Sequence, residues 1–136
     1  MQRRLMVTLN RVVNAIVHKL GLTRFRGGDL LYLTTTGRSS GVSRTVPSLF
    51  VRDDDDFVVA ASNGGSDWEP AWWLNAQAEL HGTVEYDKQR WSVTAVEVEE
   101  PERGVLWKRL NEQLDSYDGY QEKVRRRIAV VRLQPE

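Results

Sequence analysis

The sequence predicts a mainly β (α+β) fold, a small barrel or partly closed sheet of about six mostly antiparallel strands with flanking helices. Short apolar or alternating runs recur between turn signals, as expected for strands. One helical stretch lies in the middle of the chain and another precedes the final strand. That strand comes late in the sequence, which suits a sheet that closes and leaves no exposed edge.

The 136 residues are predicted to form a single domain, with a basic N-terminal helix and its connection over residues 1–28 and the barrel over residues 29–136. A chain of this length buries roughly two thirds of the surface that its unfolded form exposes. Cysteine is absent, which excludes disulfides, thiolate metal sites and cysteine nucleophiles. His18 and His81 lack neighbouring ligand residues, so each is expected at the surface or half-buried, and no metal site is predicted.

The formal net charge is zero, which argues against a generic nucleic-acid binder, but the charge is unevenly distributed. The chain carries no acid before Asp29. Its basic residues in that part are Arg3, Arg4, Arg11, Lys19, Arg24 and Arg26. We therefore expect the two parts of the chain to have different partners.

Residues 3–20 are predicted to form an amphipathic helix that ends at Gly21. Its apolar face consists of Leu5, Leu9, Val12, Val13, Ile16, Val17 and Leu20. The helix is too short and too charged for a transmembrane span. Two interpretations remain open: the helix packs on the domain, or it rests on an anionic membrane surface.

The first strand of the barrel runs from Leu30 and breaks at Gly37, and the second strand leaves from Arg44 and continues to Arg52. The loop between them holds Arg38, several serines and backbone N–H groups left free by glycines. This is the composition of an anion-binding loop, and it is equally the composition of an ordinary solvated hairpin loop.

Four aspartates at residues 53–56 precede a third strand over residues 57–61. They lack the alternating ligand spacing and the glycine of a calcium loop, which favours a solvated turn. A second loop of small residues follows at 62–66.

Behind this loop, Pro70 opens a helix that runs to about Leu80. Trp72 and Asn75 are three residues apart and share a helix face, which places an aromatic surface beside an amide. Core packing explains Trp72 and Trp73 equally well.

Residues 83–86 and 91–98 alternate apolar and polar side chains, the pattern of an antiparallel hairpin with one buried face. Another helix starts at Pro101 and ends near Leu114, and a last strand is predicted over residues 128–133.

Five segments occur in order along the chain: LLYLTTTGRSSGVSRTVP, VVAASNGG, PAWWLNAQAE, SYDGYQ and RRIAVVRLQPE. With these segments the chain resembles the deazaflavin-dependent nitroreductase and quinone reductase family of actinobacteria. The resemblance covers nearly all of residues 30–135 and implies a split β-barrel related to flavin-reductase barrels. It also implies the coenzyme 8-hydroxy-5-deazaflavin (coenzyme F420), with FMN less favoured. The implied reaction is hydride transfer from the reduced coenzyme to a quinone or a nitroaromatic.

The resemblance implies positions for the site as well. The cofactor-binding residues are Arg38, Ser39, Ser40, Arg44, Thr45, Val46, Pro47, Ser48, Leu49, Ala60, Ala61, Ser62, Asn63, Ala71, Trp72, Trp73, Leu74, Asn75 and Tyr117. Tyr117, and after it Tyr120 or Ser62, is expected to bond the substrate oxygen and to supply a proton.

The chain departs from the family pattern at two positions, because Ser39 and Asn63 stand where the family usually has lysine. Each lost charge is expected to weaken binding of the anionic coenzyme by about 1 kcal/mol. An alternative is therefore a carrier that binds deazaflavin, flavin or a fatty acyl chain without turnover. We expect a cytoplasmic monomer or homodimer, with peripheral contact to the inner face of the membrane through the N-terminal helix.

Overall fold

The computed structural model describes residues 2–25, 28–114 and 116–136. The helices are α1 (Gln2–Leu20), α2 (Ala71–Ala78), α3 (Glu102–Gln113) and α4 (Ser116–Lys123). The strands within those residues are β1 (Arg24–Phe25), β2 (Gly28–Thr36), β3 (Ser43–Leu49), β4 (Val51–Asp53), β5 (Asp56–Ala60), β6 (His81–Tyr86), β7 (Gln89–Glu97) and β8 (Val130–Pro135).

The strands form one curled sheet in the order β1-β2-β6-β7-β8-β5-β4. Strand β3 also pairs with β2, along the edge opposite to β6. Every ladder is antiparallel. The chain passes from β3 into β4 through the single residue Phe50, so the two ends of the sheet approach each other and the barrel stays split. The predicted fold class is confirmed. Six strands were predicted, and the structure adds two short ones, β1 with 2 residues and β4 with 3 residues.

The sheet is covered on both faces because successive side chains along a strand alternate between them. One face and α2 form the first core cluster, which includes Leu31, Phe57, Val131 and both tryptophans of α2. The other face packs against α3 and α4 in the second core cluster, which includes Leu30, Val58, Leu110, Tyr117 and Ile128. The region of Tyr117, which the sequence pattern left as a connection, is thus a helix, and it covers the outside of the barrel.

Helix α1 ends where predicted. Gly21 has φ +68°, its N–H donates to His18 at 3.0 Å, and the Leu22 N–H donates to Val17 at 3.4 Å. These two bonds form the glycine-dependent helix ending known as a Schellman motif. The left-handed φ explains why a glycine stands at this position.

The apolar face of α1 is not buried on the barrel. The side chains of Leu9, Val12, Val13, Ile16 and Leu20 are 47–69% exposed. The side chain of Leu5 and the whole of Arg26 lie outside the described residues. The expectation that this face packs on the domain is therefore wrong for these five side chains.

The barrel contacts α1 near the end of the helix instead. The Tyr32 hydroxyl donates to the Val17 carbonyl at 3.2 Å and to the Leu22 carbonyl. The His18 ring lies 4.7 Å from the Tyr32 ring, and its Nε2 lies 3.5 Å from Glu85. No helix in the described residues is long and apolar enough to cross a membrane.

The aspartate turn between β4 and β5 is solvated only at its tip. Asp54 and Asp55 are exposed, whereas the Arg132 guanidinium lies 2.9 Å from Asp53 and 3.0 Å from Asp56. Arg109 also pairs with Asp53, at 3.3 Å. The turn is thus tied by ion pairs to β8 and α3, and the prediction of a solvated turn is correct for only half of the aspartates.

Candidate functional site

The loop between β2 and β3, residues 37–42, is a closed hairpin loop. The Gly37 N–H donates to the Val42 carbonyl at 2.9 Å, and the Gly41 N–H donates to the Gly37 carbonyl at 2.8 Å. Gly41 has φ +71°, which favours glycine there. The side chains of Arg38, Ser39 and Ser40 are exposed, so an ordered backbone presents them to solvent.

Asn75 of α2 fastens this loop to the barrel. Its Oδ1 accepts hydrogen bonds from the Arg38 backbone N–H at 3.1 Å and from the Arg38 guanidinium at 2.9 Å. Its Nδ2 donates to Thr35 Oγ1 at 3.3 Å. Asn75 is only 3% exposed and Thr35 only 4%. The amide predicted to contact the coenzyme is therefore bonded within the protein, and it orients Arg38.

Strand β3 brings a second cation to the same corner. Arg44 lies opposite Thr35 in the β2–β3 ladder, and residues directly opposite in an antiparallel pair share a face. Arg44 is exposed, and within residues 2–25, 28–114 and 116–136 its side chain has no hydrogen-bonded or ionic partner. Two guanidinium groups thus flank Thr35.

The predicted binding segment at 44–49 is divided by the alternation of the strand. Arg44, Val46 and Ser48 lie opposite Thr35, Leu33 and Leu31, on the face of the first core cluster. Thr45, Pro47 and Leu49 lie on the other face. Thr45 Oγ1 is 2.7 Å from Thr34 Oγ1, and Leu49 belongs to the second core cluster. Alternate side chains of a strand point to opposite faces, so a ligand on one face of the sheet meets at most three of these six side chains.

The second loop, residues 61–66, follows β5 and leads to α2. The Gly65 N–H donates to the Ser62 carbonyl at 3.0 Å and the Ser66 N–H to the Asn63 carbonyl at 3.1 Å. Asn63 Nδ2 donates to the Trp68 carbonyl at 3.1 Å. The backbone N–H groups of residues 62–64 have no acceptor in the described part of the chain. Three adjacent donors are thus available to a ligand.

The carbonyls of this loop are held by Arg126, a residue that the sequence pattern does not single out. Its guanidinium donates to Ala61, Ser62 and Ser66. Arg126 stands between Arg125 and Arg127, and nothing in the sequence distinguishes the middle arginine of the three.

The tryptophans of α2 serve mainly as core. Trp72 is 9% exposed and Trp73 is 4% exposed, their rings lie 6.1 Å apart, and both belong to the first core cluster. Ala71 is exposed and Leu74 is half-buried. In the segment at 71–75, these two residues present the most surface, and Trp72 presents little.

The three candidates for the proton donor lie in different environments. Tyr117 is 4% exposed, with Trp107 6.0 Å and Tyr120 6.1 Å from its ring. Burial, and after it the neighbouring Tyr120, raises the pKa of Tyr117 to about 12. Tyr120 and Ser62 are half-buried, and Tyr120 packs against the second loop, where a Cβ added to Gly65 would lie 3.0 Å from its ring.

Both loops adjoin α2, the first through Asn75 and the second through the connection to Pro70. The corner formed by the first loop and β3 offers guanidinium groups, which suit phosphate or carboxylate oxygens. The second loop offers backbone donors, which suit carbonyl-like acceptors. The arrangement fits an elongated ligand that has an anionic end and a polar ring.

Comparison with known proteins agrees with this chemistry. A protein-family model described as F420H(2)-dependent quinone reductase matches residues 3–135. The F420H(2)-dependent quinone reductase Rv1261c of Mycobacterium tuberculosis is 34% identical over 104 residues, which cover 74% of this chain and 70% of that protein.

Solved structures agree as well. The F420-H2 dependent reductase FDR-A superposes with a TM-score of 0.71 and 33% identity, over 77% of this chain and 93% of the other. A structure described as a domain-swapped dimer superposes with a TM-score of 0.73 and 28% identity, over 98% of both chains.

Proposed function

Because the chain belongs to the F420H(2)-dependent quinone reductase family, we propose that it reduces a quinone with hydride from the reduced deazaflavin coenzyme F420. The predicted family, enzyme class and coenzyme are confirmed by this membership. The observation that carries the proposed site has two parts. Arg38, bonded to Asn75 of α2, and Arg44 lie beside Thr35, and the free amides belong to the second loop, which leads into the start of α2.

The residues present fit the coenzyme. Its phosphodiester and glutamate tail suit the guanidinium groups of Arg38 and Arg44, which retain a cationic corner although Ser39 replaces the usual lysine. The polar edge of its ring suits the N–H groups at residues 62–64, which are main-chain donors and so do not depend on the lysine that Asn63 replaces. When bound, the coenzyme supplies the hydride.

The protein's own contribution is orientation, exclusion of water and a proton. Tyr120 lies against the second loop and is the side chain we assign to contact the substrate oxygen and to donate the proton. Tyr117 packs behind it, and its raised pKa of about 12 keeps it protonated at neutral pH. We assign Tyr117 to positioning Tyr120, and Ser62 to a hydrogen bond with the substrate.

The test mixes the purified protein with the reduced coenzyme and menadione and follows coenzyme oxidation by absorbance. We expect oxidation above the uncatalysed rate, and loss of most of this rate in Tyr120→Phe with folding unchanged. A nitroaromatic in place of menadione measures the second acceptor class of the same site. Binding of the coenzyme without any turnover would contradict the reductase and support a carrier.

A membrane contact is the second part of the proposal. Five apolar side chains of α1 are exposed, and the helix carries Arg11 and Lys19 but no acidic residue. An exposed apolar face beside cationic side chains suits an anionic lipid surface. We infer from this a cytoplasmic location on the inner face of the membrane, where lipid-soluble quinones are found.

Flotation with anionic vesicles tests this contact. Ile16→Glu places a charge on the apolar face of α1, and Val105→Glu places the same charge on α3, where Val105 is 63% exposed. We expect the wild type and Val105→Glu to float and Ile16→Glu to remain in the dense fraction. Equal flotation of the two variants would contradict the contact, and a dimer lost only in Ile16→Glu would assign the face to a second copy instead.

A further inference from the structure

Arg126 holds the second loop from behind. Its Nη1 donates to the Ala61 carbonyl at 3.1 Å, and its Nη2 donates to Ser62 at 3.0 Å and to Ser66 at 3.1 Å. Its Nε donates to the Ser66 carbonyl as well, at 3.3 Å. One guanidinium therefore spans three carbonyls of the loop. Only the rigid fork of an arginine offers donors in this arrangement.

Arg126 is itself fixed by α4. The Gln121 side chain donates from Nε2 to the Arg126 carbonyl at 2.7 Å, and its Oε1 accepts the Ile128 N–H at 2.9 Å. Within the described residues no carboxylate lies at ion-pair distance from the guanidinium, and Glu69 and Asp67 act on it only through longer-range electrostatics. Its hydrogen bonds go to backbone carbonyls, so its geometry serves the loop rather than an ion pair.

These bonds determine where the free amides point. In a trans peptide, the carbonyl and the following N–H lie in one plane and point in opposite directions. The Ala61 carbonyl and the Ser62 N–H share one peptide, and the Ser62 carbonyl and the Asn63 N–H share the next. Because Arg126 binds both carbonyls, both N–H groups point away from it, and neither has an acceptor in the described residues.

We propose that Arg126 is a positioning residue for coenzyme binding, which turns the N–H groups of Ser62 and Asn63 toward the polar edge of the deazaflavin ring. This role rests on the proposed function. Arg126 does not contact the coenzyme. Its positive charge behind the carbonyls also polarises the two peptides and strengthens their N–H groups as donors.

The test compares Arg126→Lys with Arg125→Lys. Both variants keep the charge and replace a guanidinium with an ammonium, but Arg125 is exposed, and its side chain forms no hydrogen bond or ion pair within the described residues. We expect Arg126→Lys to raise the dissociation constant of oxidised F420 about tenfold, equivalent to about 1.4 kcal/mol, and to raise KM for the reduced coenzyme similarly. At saturating coenzyme, kcat should fall by a smaller factor than KM rises, because Tyr120, the side chain assigned to donate the proton, lies on α4 and not in the loop.

A readout without the coenzyme separates this role from the proposed function. In the free protein, the amide NMR signals of residues 62–64 should shift in Arg126→Lys, and the hydrogen-bonded amides of Gly65 and Ser66 should exchange faster, whereas all of these signals should be unchanged in Arg125→Lys. Gln121→Glu keeps the acceptor for Ile128 but loses the donor to Arg126. It should change the dissociation constant of F420 and the loop amide signals in the same direction as Arg126→Lys does, but by less.

Wild-type affinity in Arg126→Lys, or unchanged loop amides in that variant, would overturn the positioning role. A wild-type protein that does not bind F420 at all would overturn the proposed function, whatever the loop amides show. Circular dichroism of each variant shows whether it folds, and Gln121→Glu provides the comparison if Arg126→Lys does not.

Discussion

The bonds of Asn75 can be tested by removing its amide while keeping its size. Asn75→Leu loses the acceptor of two bonds from Arg38 and the donor of one bond to the buried Thr35. With roughly 1 kcal/mol for the buried bond and less for each partly buried Arg38 bond, the free energy of unfolding should fall by about 2 kcal/mol. For a domain of this size, the midpoint of thermal unfolding should fall by about 6–10 °C.

Asn75→Asp separates attachment of the loop from charge at the site. The carboxylate keeps an acceptor for Arg38, and the Thr35 hydroxyl can rotate to donate to it, so the midpoint should stay within about 3 °C of the wild type. The added negative charge lies at the corner that binds the anionic tail. The dissociation constant of F420 should therefore rise about fivefold or more, equivalent to about 1 kcal/mol.

Thermal unfolding by circular dichroism and a fluorescence titration with oxidised F420 measure the two effects. Gln77→Leu, at an exposed position of the same helix, serves as the control and should behave like the wild type. If Asn75→Leu unfolds at the wild-type temperature, the three hydrogen bonds do not hold the loop. If Asn75→Asp binds F420 like the wild type, the anionic tail does not occupy this corner.

Three further predictions concern other parts of the site. Arg44→Gln should raise the dissociation constant of F420 about fivefold at low salt and less at high salt, as titrations at two ionic strengths would show, because an exposed charge is screened. Raising the pH from 10 to 12 should reduce the free energy of unfolding by up to about 2–3 kcal/mol through Tyr117. The unfolded tyrosine ionises near its usual pKa of 10.0 and the folded one at about 12, so this stability is complete below pH 10 and is lost as the pH rises through 12. Denaturant titrations should show a smaller loss in Tyr117→Phe, and an equal loss would contradict the assignment. Gly65→Ala, at φ +82° and with the new Cβ 3.0 Å from the Tyr120 ring, should lower the unfolding midpoint more than Gly41→Ala, at φ +71° with open space around it.

Local patterns were enough to predict most elements. The turn signal at Gly37 and the apolar run before it correctly predicted β2 and the hairpin to β3. The glycine at 21 correctly predicted the end of α1. These features depend on the preferences of a few neighbouring residues, and such preferences can be read from a single sequence.

The resemblance of five segments was enough to predict the family, the split barrel and the coenzyme, and the comparisons confirm all three. It was not enough to assign a role to each residue. The segment at 44–49 was carried over as a unit, but a strand presents alternate side chains to opposite faces. Which of those faces adjoins α2 depends on how the sheet curls.

The sequence alone determined the strands other than β1 and β4, the helices other than α4, the family and the coenzyme, because each follows from neighbouring residues or from motifs kept in order along the chain. The tertiary structure decided which polar groups are free for a ligand. The amide of Asn75 is bonded to residues 37 and 40 positions away, and Arg126 reaches carbonyls 60 to 65 positions away. Whether a polar group bonds the protein or remains available depends on such distant partners, and folding brings them together.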